Sequence, residues 1–131
     1  MPLVGSRLAK PIQLTQLLQP GLKSTPDASA LVALDGRLTW RQLDAATTNL
    51  AANLLRLDLH PGDRIASLMP NCTALIVLYI ACMKAGLVAV PLNYRYTLPE
   101  IDHALEVSQA AILLAHAERD QISRPASLPA G

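Results

Sequence analysis

The chain has 131 residues, enough for one domain with a real core, and its net charge of +1 gives no field for nucleic acid or anionic lipid. Half of it is hydrophobic, yet it holds three Tyr, one Trp and no Phe, so the core must be built from Leu, Ala, Val and Ile. Charged residues make up 16%, below the roughly 25% of soluble domains, which predicts a surface covered in part by a partner chain, by further protein or by a membrane.

Residues 1–23 read as a lead. Met1 to Lys10 lack the unbroken apolar stretch of a secretory signal, and Ile12, Leu14, Leu17 and Leu18 then predict a short helix ending at Pro20-Gly21. Residues 24–122 read as one α/β unit. It opens with a hairpin, Ala30 to Leu34 and Arg37 to Thr39, turning at Asp35-Gly36. Thr39 and Gln42 have capping-box spacing, and Leu43, Thr47, Leu50, Ala51, Leu54 and Leu57 form one apolar stripe, so a helix should run from there to about Leu59. After the turn His60-Pro61-Gly62, Ile65 to Met69 is apolar without alternation, as a strand covered on both faces should be.

Pro70 ends that strand, and Asn71 is the expected N-cap of a helix that shows almost no polar face from Ala74 to Met83. Lys84 and Gly86 close it. Leu87 to Leu92 is a second buried strand, Asn93 to Tyr96 a polar loop, and Thr97 with Glu100 a second capping box for a helix carrying Ile101, Ala104, Leu105 and Ser108. Ala110 to Ala115 is a third buried strand, and residues 123–131 form a Pro-rich tail. Strands joined by helices imply right-handed crossovers and a parallel sheet with helices on both faces, an α/β fold preceded by a small β-hairpin.

The longest charge-free run, Ile65 to Met83, is split by Pro70-Asn71 into pieces too short for a spanning helix of roughly 20 residues, so no transmembrane segment is expected. Cys72 and Cys82 stand ten positions apart on one predicted helix, which separates them by about 15 Å and forbids their pairing. Buried thiols in a reducing, cytoplasmic compartment are the simplest reading.

Catalytic motifs are mostly missing. There is no GxGxxG after a strand and no Gly-rich run with Lys and Ser or Thr, so no phosphate cradle is expected and no catalytic residue is assigned. His60, His103 and His116 lie on different elements, and Glu100, His103 and Glu106 read as a solvated helix face rather than a metal site. Ser67, inside a strand and without flanking glycines, reads as a core serine bonded to backbone. Asp63 and Arg64 read as an ion pair or a turn cap. The best candidate is the loop Asn93 to Tyr96, just past a strand's C-terminal end and just before a helix N-terminus. There Arg95 could offer its guanidinium to a phosphate, or Tyr94, Arg95 and Tyr96 could simply pack over the sheet edge.

The wording of these segments resembles the N-terminal region of the AMP-forming acyl-CoA synthetases, the adenylate-forming ligases. PDASALVALDGRLTW is similar to their first hairpin, and LTWRQLDAATTNLAANLLRLDLHPGDRIASLMPN to their lead helix, turn and first buried strand. MKAGLVAVPLNYRYTLPEI is similar to the stretch where they write KAG, a short strand, PLN, a basic loop and T-x-x-E. The resemblance implies a two-step reaction: a carboxylic acid attacks the α-phosphate of ATP to give an acyl-adenylate and pyrophosphate, and a thiol, commonly that of CoA, then takes the acyl group, with Mg2+ neutralising phosphates. Fatty acid metabolism is the setting it implies. Arg95 inherits a contact with the nucleotide end of CoA.

The family's phosphate loop, its aromatic-Thr-Glu motif, its ribose-binding Asp and its catalytic Lys have no counterpart in this sequence, so an N-terminal piece without catalytic power of its own is expected. The partner would be the remainder of the ligase. The rival reading is a non-catalytic interaction module that docks onto a partner chain, such as the rest of a split ligase.

Overall fold

The computed structural model describes residues 13–116, so the expectations for Met1 to Ile12 and for the tail lie outside the described residues. A 3-10 turn, Leu14–Gln16, leads into α1, Gln19–Ser24. Pro20 and Gly21 therefore begin a helix rather than end one. Proline is accepted there because the N–H it lacks is unsatisfied in any first turn. Gly21 is needed for close approach: a Cβ built on it would fall inside the Trp40 indole.

Strands β1, Ser29–Ala33, and β2, Gly36–Thr39, pair antiparallel, with Ala33 opposite Gly36. The turn is thus Leu34-Asp35, one residue earlier than the Asp-Gly signal indicates. Gly36 is not among the positive-φ residues, so its conformational freedom goes unused. The Asp35 carboxylate is engaged instead by the start of a later helix.

Helix α2, Trp40–Leu55, starts on the expected capping box: the Gln42 N–H donates to Thr39 Oγ1 at 3.1 Å and the Thr39 N–H donates to Gln42 Oε1 at 2.9 Å. Leu43, Thr47, Ala51 and Leu54 are buried from the predicted stripe. The helix stops at Leu55, short of Leu59, and the turn after it passes through Asp58 in the left-handed region (φ 56°). Leu57 consequently leaves the stripe and is exposed.

Three parallel strands follow: β3, Arg64–Leu68; β4, Val88–Pro91; and β5, Ile112–Ala115, in spatial order β4-β3-β5. Between them run α3, Thr73–Ala85, and α4, Leu98–Ser108. Successive side chains of a strand point to opposite faces. Ile65 packs with Ala51 and Leu54 of α2 and with Leu78, Ala81 and Cys82 of α3. Ala66 and Leu68 pack with Ile101 and Leu105 of α4. The sheet therefore carries helices on both faces, as the unalternated β3 requires. β4 and β5 flank it and are only half-buried, with Val88 exposed, so their apolar runs are less covered than the sequence implies.

The missing polar face of α3 is explained by a second cluster. Ile80, with Ile76 and Val77 beside it, packs against Leu18, Leu43 and the hairpin residues Leu31 and Leu38. The helix is thus clamped between the sheet and the hairpin layer. Gly86 ends it at φ 72°, and the Leu87 N–H returns to the Cys82 carbonyl at 2.8 Å. Lys84, beneath α2, donates to Asp44 Oδ1 at 2.7 Å, to the Asp44 carbonyl and to Thr48 Oγ1.

Candidate functional site: a cleft at the C-terminal edge of the sheet

The chain leaves β3 toward α3 on one face and leaves β4 toward α4 on the other. Open α/β sheets gather their ligands at the carboxyl ends of the strands. A cleft of ≈ 440 Å³ lies there. One wall is Met69, Pro70 and Asn71 with Leu75 and Tyr79 of α3; the other is Pro91 to Arg95.

The second wall is built locally. The Tyr96 N–H donates to the Asn93 carbonyl at 3.0 Å and the Arg95 N–H donates to Asn93 Oδ1 at 3.0 Å, a tight turn in which the Asn side chain satisfies the backbone. It hangs from β4 through the Leu92 N–H, which donates to the Ser67 carbonyl at 2.8 Å. Behind it, Thr97 donates its N–H (2.7 Å) and its hydroxyl (3.0 Å) to Glu100 Oε2, fixing the start of α4.

The two readings of the loop divide between its residues. Tyr94 and Tyr96 pack toward the cluster of Ala66, Leu68, Ile101 and Leu105, while the exposed Arg95 lines the cleft. The Tyr94 ring also meets His116 edge-to-face, with centroids 6.5 Å apart. The facing wall is not among the sites expected from the sequence, although Pro70-Asn71 just past the end of β3 is a signal for it. Asn71, Asn93 and Arg95 give the cleft neutral and cationic hydrogen-bonding groups, a set suited to a phosphorylated ligand.

The remaining candidates stand apart from the cleft lining. Glu100, His103 and Glu106 are exposed on α4, and among the described residues no three His, Cys, Asp or Glu side chains group to hold a metal ion. Asp63 is a turn cap, its Oδ2 accepting from the His60 N–H at 2.8 Å, whereas Arg64 Nη1 donates to the Ser108 carbonyl at the end of α4. Ser67 is 1% exposed, and its Oγ has no hydrogen-bond partner, so the expected backbone bond is absent and no base activates it. Both cysteines are free: Cys72 is half-buried, and burial pushes the Cys82 thiol up to about 11. No helix among the described residues is long and apolar enough to cross a membrane.

The AMP-binding enzyme family model matches residues 18–130. Feruloyl-CoA synthase of Amycolatopsis is 40% identical over 99 residues, which are 73% of this chain and 20% of that protein. Apicidin F synthase of Gibberella fujikuroi is 35% identical over 100 residues, 76% of this chain and 2% of that protein. The solved N-terminal domain of FACL13 from Mycobacterium tuberculosis superposes with a TM-score of 0.76 at 29% identity, covering 88% of this chain and 32% of that one. The chain thus spans about one fifth of the first of these relatives. With its parallel sheet, two-faced helices and small hairpin, it belongs to the AMP-binding enzyme family, the adenylate-forming ligases that include the acyl-CoA synthetases, and corresponds to their N-terminal region.

Proposed function

We propose that the chain is the N-terminal part of an AMP-forming acyl-CoA synthetase, which joins a carboxylic acid to CoA through an acyl-adenylate, and that its own cleft takes the nucleotide end of CoA. Arg95 carries the reading: an exposed guanidinium on the rim of a polar cleft at the carboxyl edge of a parallel sheet. When bound, CoA supplies the acceptor thiol; the chain's part is to hold phosphate through Arg95, with Asn71 and Asn93 positioned for neutral contacts. Feruloyl-CoA synthase, by its name, forms a CoA thioester, which favours CoA as acceptor over a carrier protein.

On this reading adenylation belongs to the rest of the ligase, since this chain's sequence has no phosphate loop and no family-type catalytic Lys. The physical work of the chain is to furnish the sheet and one side of the active-site region. Free thiols at Cys72 and Cys82 fit the reducing cytoplasm. The remainder of the ligase is the partner that would cover the exposed apolar side chains Val32, Leu34, Val88 and Val107. The same side chains support the alternative of a docking module for a split ligase.

Calorimetric titration with CoA tests the reading. The chain is expected to bind CoA weakly, Arg95→Ala to weaken binding about tenfold, as loss of a charge-assisted contact does, and ATP–pyrophosphate exchange with a panel of carboxylic acids to stay at background. CoA binding indifferent to Arg95 would remove the site, and pyrophosphate exchange above background would remove the claim of inactivity.

A further inference from the structure

The start of α3 is capped from a distance. Its N-cap residue, Cys72, makes no side-chain cap, and Asn71, the expected cap, lines the cleft instead. The cap comes from the hairpin tip, 38 residues away in sequence: the Thr73 N–H donates to Asp35 Oδ1 at 3.1 Å and Oδ2 at 3.3 Å, and the Thr73 hydroxyl donates to Oδ1 at 2.9 Å. The carboxylate thus sits at the positive end of the helix and satisfies an N–H that would otherwise be an orphan.

We propose that Asp35 is a positioning residue for the cleft, holding the Asn71–Leu75 wall in place; the claim rests on reading that cleft as a nucleotide site. Asn71 and Leu75 line the cleft and also line a second, apolar groove of ≈ 220 Å³, bounded by Leu31 and Ala33 of the hairpin and by Cys72 and Ile76 of α3. The wall therefore borders open space on both sides: Leu75 is buried, but Asn71 is exposed and the turn before it has little packing to fix it. Leu75 and Tyr79, one turn apart on the same helix face, both line the cleft, so a tilt of the first turn of α3 is passed to its floor.

Asp35 is itself well placed to act as the fixed point. It stands in a two-residue turn closed by the Ala33–Gly36 pair, on a hairpin whose Leu31 and Leu38 are packed into the cluster of Leu18, Leu43 and Ile80. The hairpin, remote from the cleft in sequence, thereby becomes part of its frame.

The test compares the full chain with its Asp35→Ala and Asp35→Asn forms by backbone amide NMR and by CoA titration. Asp35→Ala is expected to raise amide exchange at Thr73 about fivefold, in line with the loss of a helix cap, and to shift the amides of Asn71, Leu75 and Tyr79. It should also weaken CoA binding several-fold, with Asp35→Asn, which keeps an acceptor oxygen, restoring most of both. Changes confined to Thr73 and the hairpin, or a CoA affinity untouched by Asp35→Ala, overturn the proposal. If the unaltered chain binds no CoA, the nucleotide reading fails, and the amide shifts at Asn71, Leu75 and Tyr79 still decide whether Asp35 holds the wall. If the Ala form does not fold, Thr73→Val, which removes the hydroxyl bond to Asp35 Oδ1, decides by the same two measurements: shifted Asn71, Leu75 and Tyr79 amides with weaker CoA binding support the proposal, and neither change overturns it.

Discussion

Gly21 and Trp40 meet in a contact that neither residue announces in sequence. The indole lies where a Gly21 side chain would be, and both belong to the layer that packs Leu18, Leu43 and Ile80. Gly21→Ala should therefore cost about 1–3 kcal/mol, the usual penalty of overpacking, rather than gain the roughly 0.5–1 kcal/mol expected of alanine in a helix. A urea-unfolding midpoint that rises in this variant would contradict the contact. Other single residues depart from their sequence expectation because their partners lie far off along the chain. Ser67 is expected to bond backbone and does not; of the ion pair or turn cap expected of Asp63 and Arg64, the cap forms at Asp63, while Arg64 bonds the Ser108 carbonyl, 44 residues away. The place of Arg95 on a loop at the sheet edge, by contrast, is legible, because strand end, polar loop and helix start follow one another in sequence.

Element existence is legible where the signal is local and repeated. Both capping boxes form as expected, since each needs only residues three apart, and the α2 stripe is buried at Leu43, Thr47, Ala51 and Leu54. Thr39→Ala removes the acceptor for the Gln42 N–H and should lower stability by about 1 kcal/mol, visible as a shifted denaturation midpoint with an unchanged slope. No change at all would mean that tertiary packing alone starts the helix. Element ends are less legible. α2 stops at Leu55 because the chain turns through a left-handed Asp58, a conformation that no glycine signals. The hairpin turn lies at Leu34-Asp35, where Asp35 serves α3, and a distant helix cannot be read from a local Asp-Gly pair.

At the scale of the molecule, pH should set stability from both sides. Hydrogen bonds from Arg41, and then its charge, hold the Asp27 carboxyl below its ordinary 3.8; bonds from the Thr73 N–H, then its hydroxyl, do the same for Asp35. A depressed carboxyl stabilises the fold fully above its unfolded value and loses that contribution as pH falls through its lower folded value. Melting temperature should therefore drop on acidification below about pH 3.8, and less steeply in an Asp27→Asn, Asp35→Asn double variant. On the alkaline side, burial raises the Cys82 thiol from 9.0 to about 11, so the unfolded chain loses that proton first and stability should fall as pH rises past 9.0. Equal slopes in wild type and variant on the acid side would show that neither carboxylate is coupled to folding.

The sequence by itself determined the order and type of the elements, the two-faced burial of β3 and the place of the Asn93–Tyr96 loop, because hydrophobic period, caps and strand ends are written in neighbouring residues. Only the tertiary structure decided what faces that loop and what holds the facing wall. The cleft lies between the segments that leave β3 and β4, which only the pairing of those strands brings together, and its frame is closed by a carboxylate from a hairpin 38 residues before the helix it caps. Such contacts are fixed by packing in three dimensions, and no local pattern encodes them.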